Sequence, residues 1–352
     1  MITQGIVNIG VQELIPGMII SQVIIRNGTV LLKEGSIVND DIIDSLQNIY
    51  LVDKLQVYVP AGVIGENKKE VEMKKVEQAF EEVADKLKEM SVKMDSLDES
   101  SLEDLREFAW KIESQFRDSD IVLSSILFKG DGGDHIYKHG VNVAVLSALL
   151  GKWLGMDDEN IKHLIYAALL HDFGITKLSR NLQIEPDLLS DKKNEGVKEH
   201  VKIAYECIKS IKNIDQSVIY GVLVHHERCD GSGYPLRKSG DKIHPFAKII
   251  AIADEFDVLN SDREIMDKKG AFYILQVIKD KSLKNLDYKY AKVFLEHIFN
   301  FYIGEKVRLS SGVIGKVLQI DMEDIEHPLL FTGEEFIDMR KNKDIYIRQL
   351  VI

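Results

Sequence analysis

Residues 225–235 read HHERCDGSGYP, two adjacent histidines and a glutamate that lead into a glycine-rich loop. The histidine pair ends an apolar run, Val218–Val224, that is typical of a buried helix. Neighbouring side chains on a helix diverge by about 100°, so both imidazoles reach one centre more easily at a helix end than in its middle. Gly231 and Gly233 allow a tight loop that brings the backbone near a ligand.

Two other segments also place ionisable side chains at the end of an apolar run. His171-Asp172 follows Tyr166–Leu170, and Asp254 follows Ile249–Ala253. Each feature alone is common in proteins without a metal, but buried ionisable groups are costly unless they are paired or coordinated. Imidazole and carboxylate together suit Zn, Fe and Mn. The ordered set that favours a metal centre is His139, His171, Asp172, His200, His225, His226 and Asp254.

Hydrophobic periodicity divides the chain into helical and β-rich regions. Apolar residues recur with helical spacing over 141–154 and 161–170, and we expect a helical domain over residues 120–300. Residues 1–62 and 303–352 have strand and turn signals. Asn27-Gly28 lies between two apolar runs, and Ser310-Ser311-Gly312 lies between residues 306–309 and 313–320, so each turn predicts a hairpin. The predicted fold is mainly α with small β-rich N-terminal and C-terminal regions.

Residues 66–118 have the pattern of a helical linker. Apolar residues between positions 73 and 97 alternate steps of three and four, with Glu and Lys between them. Ser100 and Glu103 have the spacing of a capping box, which predicts a second helix that starts at Ser100. Two alternatives remain open: two antiparallel helices within one chain, or a coiled coil that forms a homodimer through residues 73–116. The dependence of the particle mass on concentration separates them.

The composition excludes several classes of function. The chain has 352 residues and a formal net charge of −12, which argues against a nucleic acid polymer as partner because such binding needs a basic surface. A small phosphodiester is still compatible, since a metal ion changes the charge locally. The two cysteines have no metal-binding spacing. The N-terminus does not read as a signal peptide, and no apolar run reaches the roughly 20 residues of a bilayer span, so we expect a cytoplasmic protein without a membrane partner.

The segments resemble the HD-GYP family, in that family's order, over roughly residues 120–300. The matching stretches are Tyr137-Lys138-His139, LLHDFG (169–174), EHVKIA (199–204), HHERCDGSGYP (225–235) and IIAIADEFDVLNSDR (249–263). The resemblance implies an HD-domain helical bundle and a phosphodiesterase that hydrolyses cyclic di-GMP to linear pGpG or to GMP. It also implies two divalent metal ions, iron or manganese, held by the ordered set above, with Asp172 as the bridging and catalytic carboxylate.

The same resemblance implies which residues face the substrate. Gly233, Tyr234 and Pro235 would shape the substrate side of the site, and Arg263 would face a phosphate. Family members with three metals carry a glutamate one helical turn before the first histidine. His135 stands at that place here, so we expect two metals rather than three.

One position departs from the family pattern. The family usually reads HDxGK, whereas residues 171–177 read HDFGITK, so Ile175 stands in place of the lysine. Isoleucine has neither donor nor charge, and the loss of one such donor typically costs about 10²–10³ in rate. Lys177 is the candidate that would replace it as a catalytic residue. Three hypotheses remain: a slow phosphodiesterase, a non-catalytic receptor for cyclic di-GMP with the same fold, and a phosphohydrolase that acts on other nucleotides.

Overall fold

The computed structural model describes residues 5–9, 14, 16–26, 29–39, 42–43, 45–46, 55–59, 68–93, 99–115, 119–127, 135–178, 195–342 and 344–351. The chain divides into two compact units, Met1–Val71 and Glu72–Ile352. The predicted fold class, mainly α with β-rich regions at both ends, is confirmed. The finer division into four regions stays a prediction.

The N-terminal unit is small and β-rich. Its strands are β1 (Gly5–Ile9), β2 (Ile19–Ile20), β3 (Ile24–Arg26), β4 (Thr29–Leu32) and β5 (Leu55–Val59). Strand β5 pairs antiparallel with both β1 and β2, while β3 and β4 form the predicted hairpin. Its turn residues, Asn27 and Gly28, lie outside the described residues. Buried Ile20, Val38 and Val57 belong to the small core of this unit.

Two antiparallel helices begin the larger part of the chain, α1 (Lys68–Lys93) and α2 (Glu99–Ser114). Ion pairs join Lys86 to Glu107 and Lys111 to Glu82, which fixes the antiparallel direction. Helix α2 begins at Glu99, one residue before the start that the capping-box spacing predicts.

The apolar stripes of α1 and α2 are buried in the core of their own chain. The buried members are Met73, Val76, Phe80, Val83, Leu87 and Met90 on α1, and Leu102, Leu105, Ala109 and Ile112 on α2. The heptad positions 94 and 97 and the stripe position 116 lie outside the described residues. The structure therefore shows the intrachain helix pair. A homodimer through residues 73–116 stays a prediction, and it would have to form through faces of α1 and α2 other than these buried stripes.

Ten further helices follow in the part of the chain that the structure describes. They are α3 (Ser119–Leu127), α4 (His135–Trp153), α5 (Asp158–Leu170), α6 (Glu195–Lys198), α7 (His200–Ile208), α8 (Gln216–Leu223), α9 (Pro245–Ser261), α10 (Arg263–Lys268), α11 (Ala271–Ser282) and α12 (Tyr288–Tyr302). A 3-10 helix, Phe173–Lys177, lies between α5 and α6 and packs on α7. Helices α4 and α5 pack on each other, α9 packs on α4, and α8 packs on both α5 and α9. Within the described residues, every helix is too short or too polar to cross a bilayer.

The C-terminal region is a five-stranded antiparallel sheet. Its strands are β6 (Lys306–Leu309), β7 (Ile314–Asp321), β8 (Asp324–Phe331), β9 (Phe336–Asp338) and β10 (Ile347–Val351), in the order β10-β6-β7-β8-β9. The predicted hairpin corresponds to β6 and β7. Val307, Val317 and Leu330 point into the same core as the helices, and β8 packs on α11. The sheet thus extends the helical domain.

Candidate metal centre

The buried histidines and aspartates of the helical domain form two neighbouring groups of potential metal ligands. Within each group, one ligand atom from each residue lies within 4.8 Å of the others. One group, called here the four-ligand group, is Asp172, His200, His225 and His226, and the other is His139, His171 and Asp254. The structure therefore brings together all of the metal ligands that the sequence indicates.

Asp172 lies between the two groups. Its Oδ1 is 3.1 Å from Nε2 of His200 and 3.7 Å from Nε2 of His225. Its Oδ2 is 3.4 Å from Nε2 of His171 and 3.8 Å from Nε2 of His139. One carboxylate thus presents a different oxygen to each group, which is the arrangement that a ligand bridging two cations needs.

The ends of helices position most of these side chains. His171 follows the last residue of α5, His200 is the first residue of α7, and His225 and His226 follow Val224, the residue that caps the end of α8. Asp254 differs, because α9 continues beyond it to Ser261. All of the ligands are nearly inaccessible to solvent, so water does not screen their charges.

Three of the imidazoles are held from behind by main-chain carbonyls. The Nδ1–H groups of His171, His200 and His225 donate to the carbonyl oxygens of Ala168, Val197 and Val222, at 2.6, 2.7 and 2.6 Å. A carbonyl only accepts, so the proton sits on Nδ1 and the lone pair of Nε2 faces the group. Among the described residues, these three buried Nε2 atoms have no hydrogen-bond partner.

His139 is oriented instead by a carboxylate that the sequence interpretation missed. Its Nδ1 lies 2.7 Å from Oδ2 of Asp257, and Asn142 donates its amide to Oδ1 of Asp257 at 2.9 Å. Asp257 is itself buried. It follows Asp254 by three positions in the same helix, so both carboxylates lie on one helix face. That spacing is the signal that could have identified it.

The pKa values of two ligands are displaced in opposite directions. Burial lowers the pKa of His139, but hydrogen bonds with Asp254 and Asp257 outweigh burial and raise this pKa to about 10. Burial lowers the pKa of His225 to about 4, because the opposing effect of Asp172 is smaller. At neutral pH His225 is therefore already in its coordinating form, whereas a cation at His139 must displace a proton.

The loop that follows the histidine pair is anchored by Glu227. Its buried carboxylate accepts hydrogen bonds from the backbone N–H groups of Leu236, at 2.6 Å, and Lys238, at 2.9 Å. The ring of Tyr234 stacks on His226 with centroids 4.7 Å apart. Of the predicted substrate-side residues, Tyr234 therefore contacts a ligand of the four-ligand group, and Gly233 and Pro235 flank it in the chain.

Gly233 is required by this close packing. A Cβ atom at Gly233 would lie less than 3.0 Å from the backbone of both His226 and Glu227. Any other residue would push the loop away from the histidine pair, so the glycine brings Tyr234 against His226.

The 3-10 helix places Ile175 and Lys177 in different surroundings. Ile175 is 1% exposed. Lys177 donates its ammonium to the main-chain carbonyl of Ser91 on α1 at 3.0 Å, and its Nζ lies 5.5 Å from the ring centroid of Phe173. Arg263 is exposed at the start of α10. A catalytic role for Lys177 and a phosphate contact by Arg263 stay predictions.

The donor set fits divalent metal ions. Imidazole nitrogens and carboxylate oxygens converge in a buried space, and the three unsatisfied Nε2 atoms would cost free energy without a partner. Such a set suits iron, manganese or zinc better than calcium, which prefers oxygen ligands. The two groups therefore indicate a divalent-metal site.

Comparison with known proteins agrees with this chemistry. Residues 124–289, which include both ligand groups, match the family model described as HD domain. The chain is 28% identical over 208 residues to the cyclic di-GMP phosphodiesterase PA4108 of Pseudomonas aeruginosa, covering 58% of this chain and 49% of that protein. It is 31% identical over 156 residues to the cyclic di-GMP phosphodiesterase response regulator RpfG of Xanthomonas campestris, covering 44% and 40% respectively.

A third relative is named for a different cyclic dinucleotide. It is the 3'3'-cGAMP-specific phosphodiesterase 3 of Vibrio cholerae, 31% identical over 125 residues, which covers 36% of this chain and 27% of that protein. The chain thus spans about half the length, or less, of these curated relatives.

Proposed function

We propose that residues 124–289, which match the HD domain family model, form an HD domain of the HD-GYP type, and that the chain is a metal-dependent phosphodiesterase that hydrolyses cyclic di-GMP to linear pGpG or to GMP. The observation that carries the proposal is the position of Asp172, whose two oxygens face two separate groups of buried imidazoles. The names of the relatives support the class of substrate.

The proposed cofactor is a pair of divalent cations, iron or manganese. His139, His171 and Asp254 would hold one, His200, His225 and His226 the other, and Asp172 would contact both. When bound, such cations supply a water nucleophile at neutral pH and offset the charge that develops on the phosphate. The carbonyls behind His171, His200 and His225 keep these imidazoles in the coordinating tautomer.

The loop of Gly233, Tyr234 and Pro235 would form the substrate side of this site. Tyr234 lies against His226, and Glu227 holds the backbone just after the loop through two hydrogen bonds. A substrate that approaches the four-ligand group from this side meets the ring of Tyr234, which offers an apolar surface for a guanine base. Arg263 is proposed as a phosphate contact on the strength of the family resemblance alone.

The test is a turnover assay on purified protein loaded with Mn²⁺ or, anaerobically, with Fe²⁺. We expect the conversion of cyclic di-GMP to a linear product, separated by chromatography, with metal content measured on the same preparation. Asp172→Ala should abolish turnover because it removes the carboxylate shared by both groups. Asp241→Ala, at an exposed position outside the site, is the matched control and should behave as wild type. No turnover by wild type with either metal would overturn the proposal.

The second candidate function is a receptor that binds cyclic di-GMP without hydrolysing it. Ile175 favours it, because this buried side chain has no charge to offer a phosphate. On this alternative, metal-loaded wild type binds cyclic di-GMP without turnover, and Ile175→Lys gains activity. Turnover by wild type at an ordinary enzymatic rate excludes it.

The choice of dinucleotide needs a direct comparison, since relatives named for cyclic di-GMP and for 3'3'-cGAMP both match this chain. We expect a higher kcat/KM for cyclic di-GMP than for 3'3'-cGAMP. Including linear nucleotides in the same assay tests the third hypothesis, a phosphohydrolase of other specificity, which the GYP loop disfavours.

A further inference from the structure

Lys198 lies beside the four-ligand group. It is the last residue of α6, and His200 begins α7 directly after the intervening Glu199. The carbonyl of Val197, the residue before Lys198, accepts the Nδ1–H of His200 at 2.7 Å. The same hydrogen bond that orients a ligand therefore fixes the backbone from which the Lys198 side chain extends.

The ammonium of Lys198 lies on the side of the group where the substrate is expected. Its Nζ is 5.4 Å from the ring centroid of Tyr234, and that ring stacks on His226. The rings of His200 and His226 are in turn 5.1 Å apart. Lys198 thus lies two residues before one ligand of the group in the sequence and beside the tyrosine that covers another ligand in space.

Two other cations near the ligands are directed towards main-chain carbonyls. Lys177 donates to the carbonyl of Ser91 at 3.0 Å. Arg228 donates to the carbonyls of His225 at 3.2 Å and Glu227 at 3.1 Å. Both contacts hold elements of the protein together. Of the three cations, Lys198 is the one whose ammonium lies against the ring of Tyr234 in the substrate loop.

We propose that Lys198 binds a phosphate of the dinucleotide and supplies the positive charge that Ile175 does not; this inference rests on the proposed function. A cyclic dinucleotide carries two phosphodiester anions, and a lysine recognises each as a point charge. Because the charge of a phosphate is present before and during hydrolysis, Lys198 stabilises the bound substrate and the transition state alike. Its removal weakens binding more than it slows turnover.

The decisive variant is Lys198→Met, which keeps the length of the side chain and removes the charge. With metal-loaded protein we expect Kd for a phosphorothioate analogue of cyclic di-GMP, and KM for cyclic di-GMP, to rise about 10-fold, while kcat changes much less. Metal content should equal that of wild type. Lys198→Arg should restore most of the binding, since arginine also donates to phosphate.

Lys202→Met is the matched control, because Lys202 is exposed one turn further along the same segment and pairs with Glu199 at 2.8 Å. It should bind the analogue as wild type does. Unchanged binding in Lys198→Met, or a loss explained by lower metal content, overturns the role of Lys198 and leaves the proposed function intact. If wild type neither binds nor hydrolyses cyclic di-GMP, the proposed function fails and this assignment fails with it.

Discussion

The groups that orient the histidine ligands differ in whether a mutation can remove them. Main-chain carbonyls orient His171, His200 and His225, and no side-chain substitution removes a carbonyl. His139 depends on the carboxylate of Asp257. The position of His139 can therefore be weakened by a single side-chain change outside the ligand set, at Asp257.

Asp257→Asn tests this dependence. The variant keeps the shape of the side chain. It loses the negative charge that supports His139, and one of its two acceptor oxygens becomes an amide donor. We expect the affinity for the metal to fall about 10- to 100-fold, as is typical when a group behind a metal-bound histidine is changed. Competition with a chelator measures the affinity, and circular dichroism checks the fold. Asp241→Asn, which is exposed, serves as the control, and equal affinities in the two variants would refute the prediction.

At this scale the ordered histidines and aspartates could be predicted because each follows an apolar run or falls in a segment that resembles a known motif. Asp257 could have been found from its helical spacing to Asp254. The contact between Lys177 and Ser91 could not, because its acceptor is a main-chain atom that every residue carries. A sequence shows which side chains can donate a hydrogen bond or bind a metal. It does not show which main-chain carbonyl the fold places beside each donor.

Among the elements, the 3-10 helix depends on one close approach. A Cβ atom at Gly174 would lie less than 3.0 Å from the backbone of His200 and Ala204 in α7. The glycine therefore lets the turn that carries Asp172 lie directly on the helix that carries His200, which brings Asp172 within 3.1 Å of that imidazole.

Gly174→Ala should separate these two elements. We expect the free energy of unfolding to fall by about 1–3 kcal/mol, the usual cost of overpacking, together with a lower metal content. Urea denaturation and metal analysis measure the two effects. Gly140→Ala is the control, because its Cβ would come no closer than 3.5 Å to another atom, an ordinary contact. A Gly174→Ala protein as stable as this control would show that the packing is not required.

The elements were partly predictable. Helices α4 and α5 follow the apolar periodicity over 141–154 and 161–170, and the hairpin of β6 and β7 follows its turn signal. Strand β8 was not predicted as a strand, in part because Pro328 lies inside it and proline cannot donate to a strand ladder. The start of α2 at Glu99 shows that a capping-box spacing marks a helix start only approximately.

In the whole molecule, one compact unit contains the entire metal centre. Both ligand groups, Asp257 and Lys198 belong to Glu72–Ile352. This unit buries several ionisable groups at one place, and cations that bind only the folded chain stabilise it by mass action. Metal content and thermal stability should therefore change together.

Metal removal tests this coupling. At about 100 times Kd, a bound ligand adds about 2.7 kcal/mol to the free energy of unfolding, so treatment with a chelator should lower the Tm of the wild type. The Tm of Asp172→Ala should change much less, because that variant lacks the shared ligand. Differential scanning calorimetry resolves the transitions. Equal chelator effects in the two proteins would contradict the proposed centre.

The oligomeric state is a separate question for the whole chain. The buried stripes of α1 and α2 are used within the chain, although Trp110 on α2 is 69% exposed. The predicted homodimer would have to use such exposed residues, and the particle mass as a function of concentration decides between the two states.

The hydrogen bond from Lys177 to α1 also has an evolutionary consequence. It ends on the main-chain carbonyl of Ser91, so the link does not depend on the side chain at position 91. Position 177 has no such freedom, since only a long side chain with a terminal donor reaches that carbonyl. In an alignment of close homologues, a lysine or arginine retained at 177, whichever residue stands at 91, would be the trace of this contact.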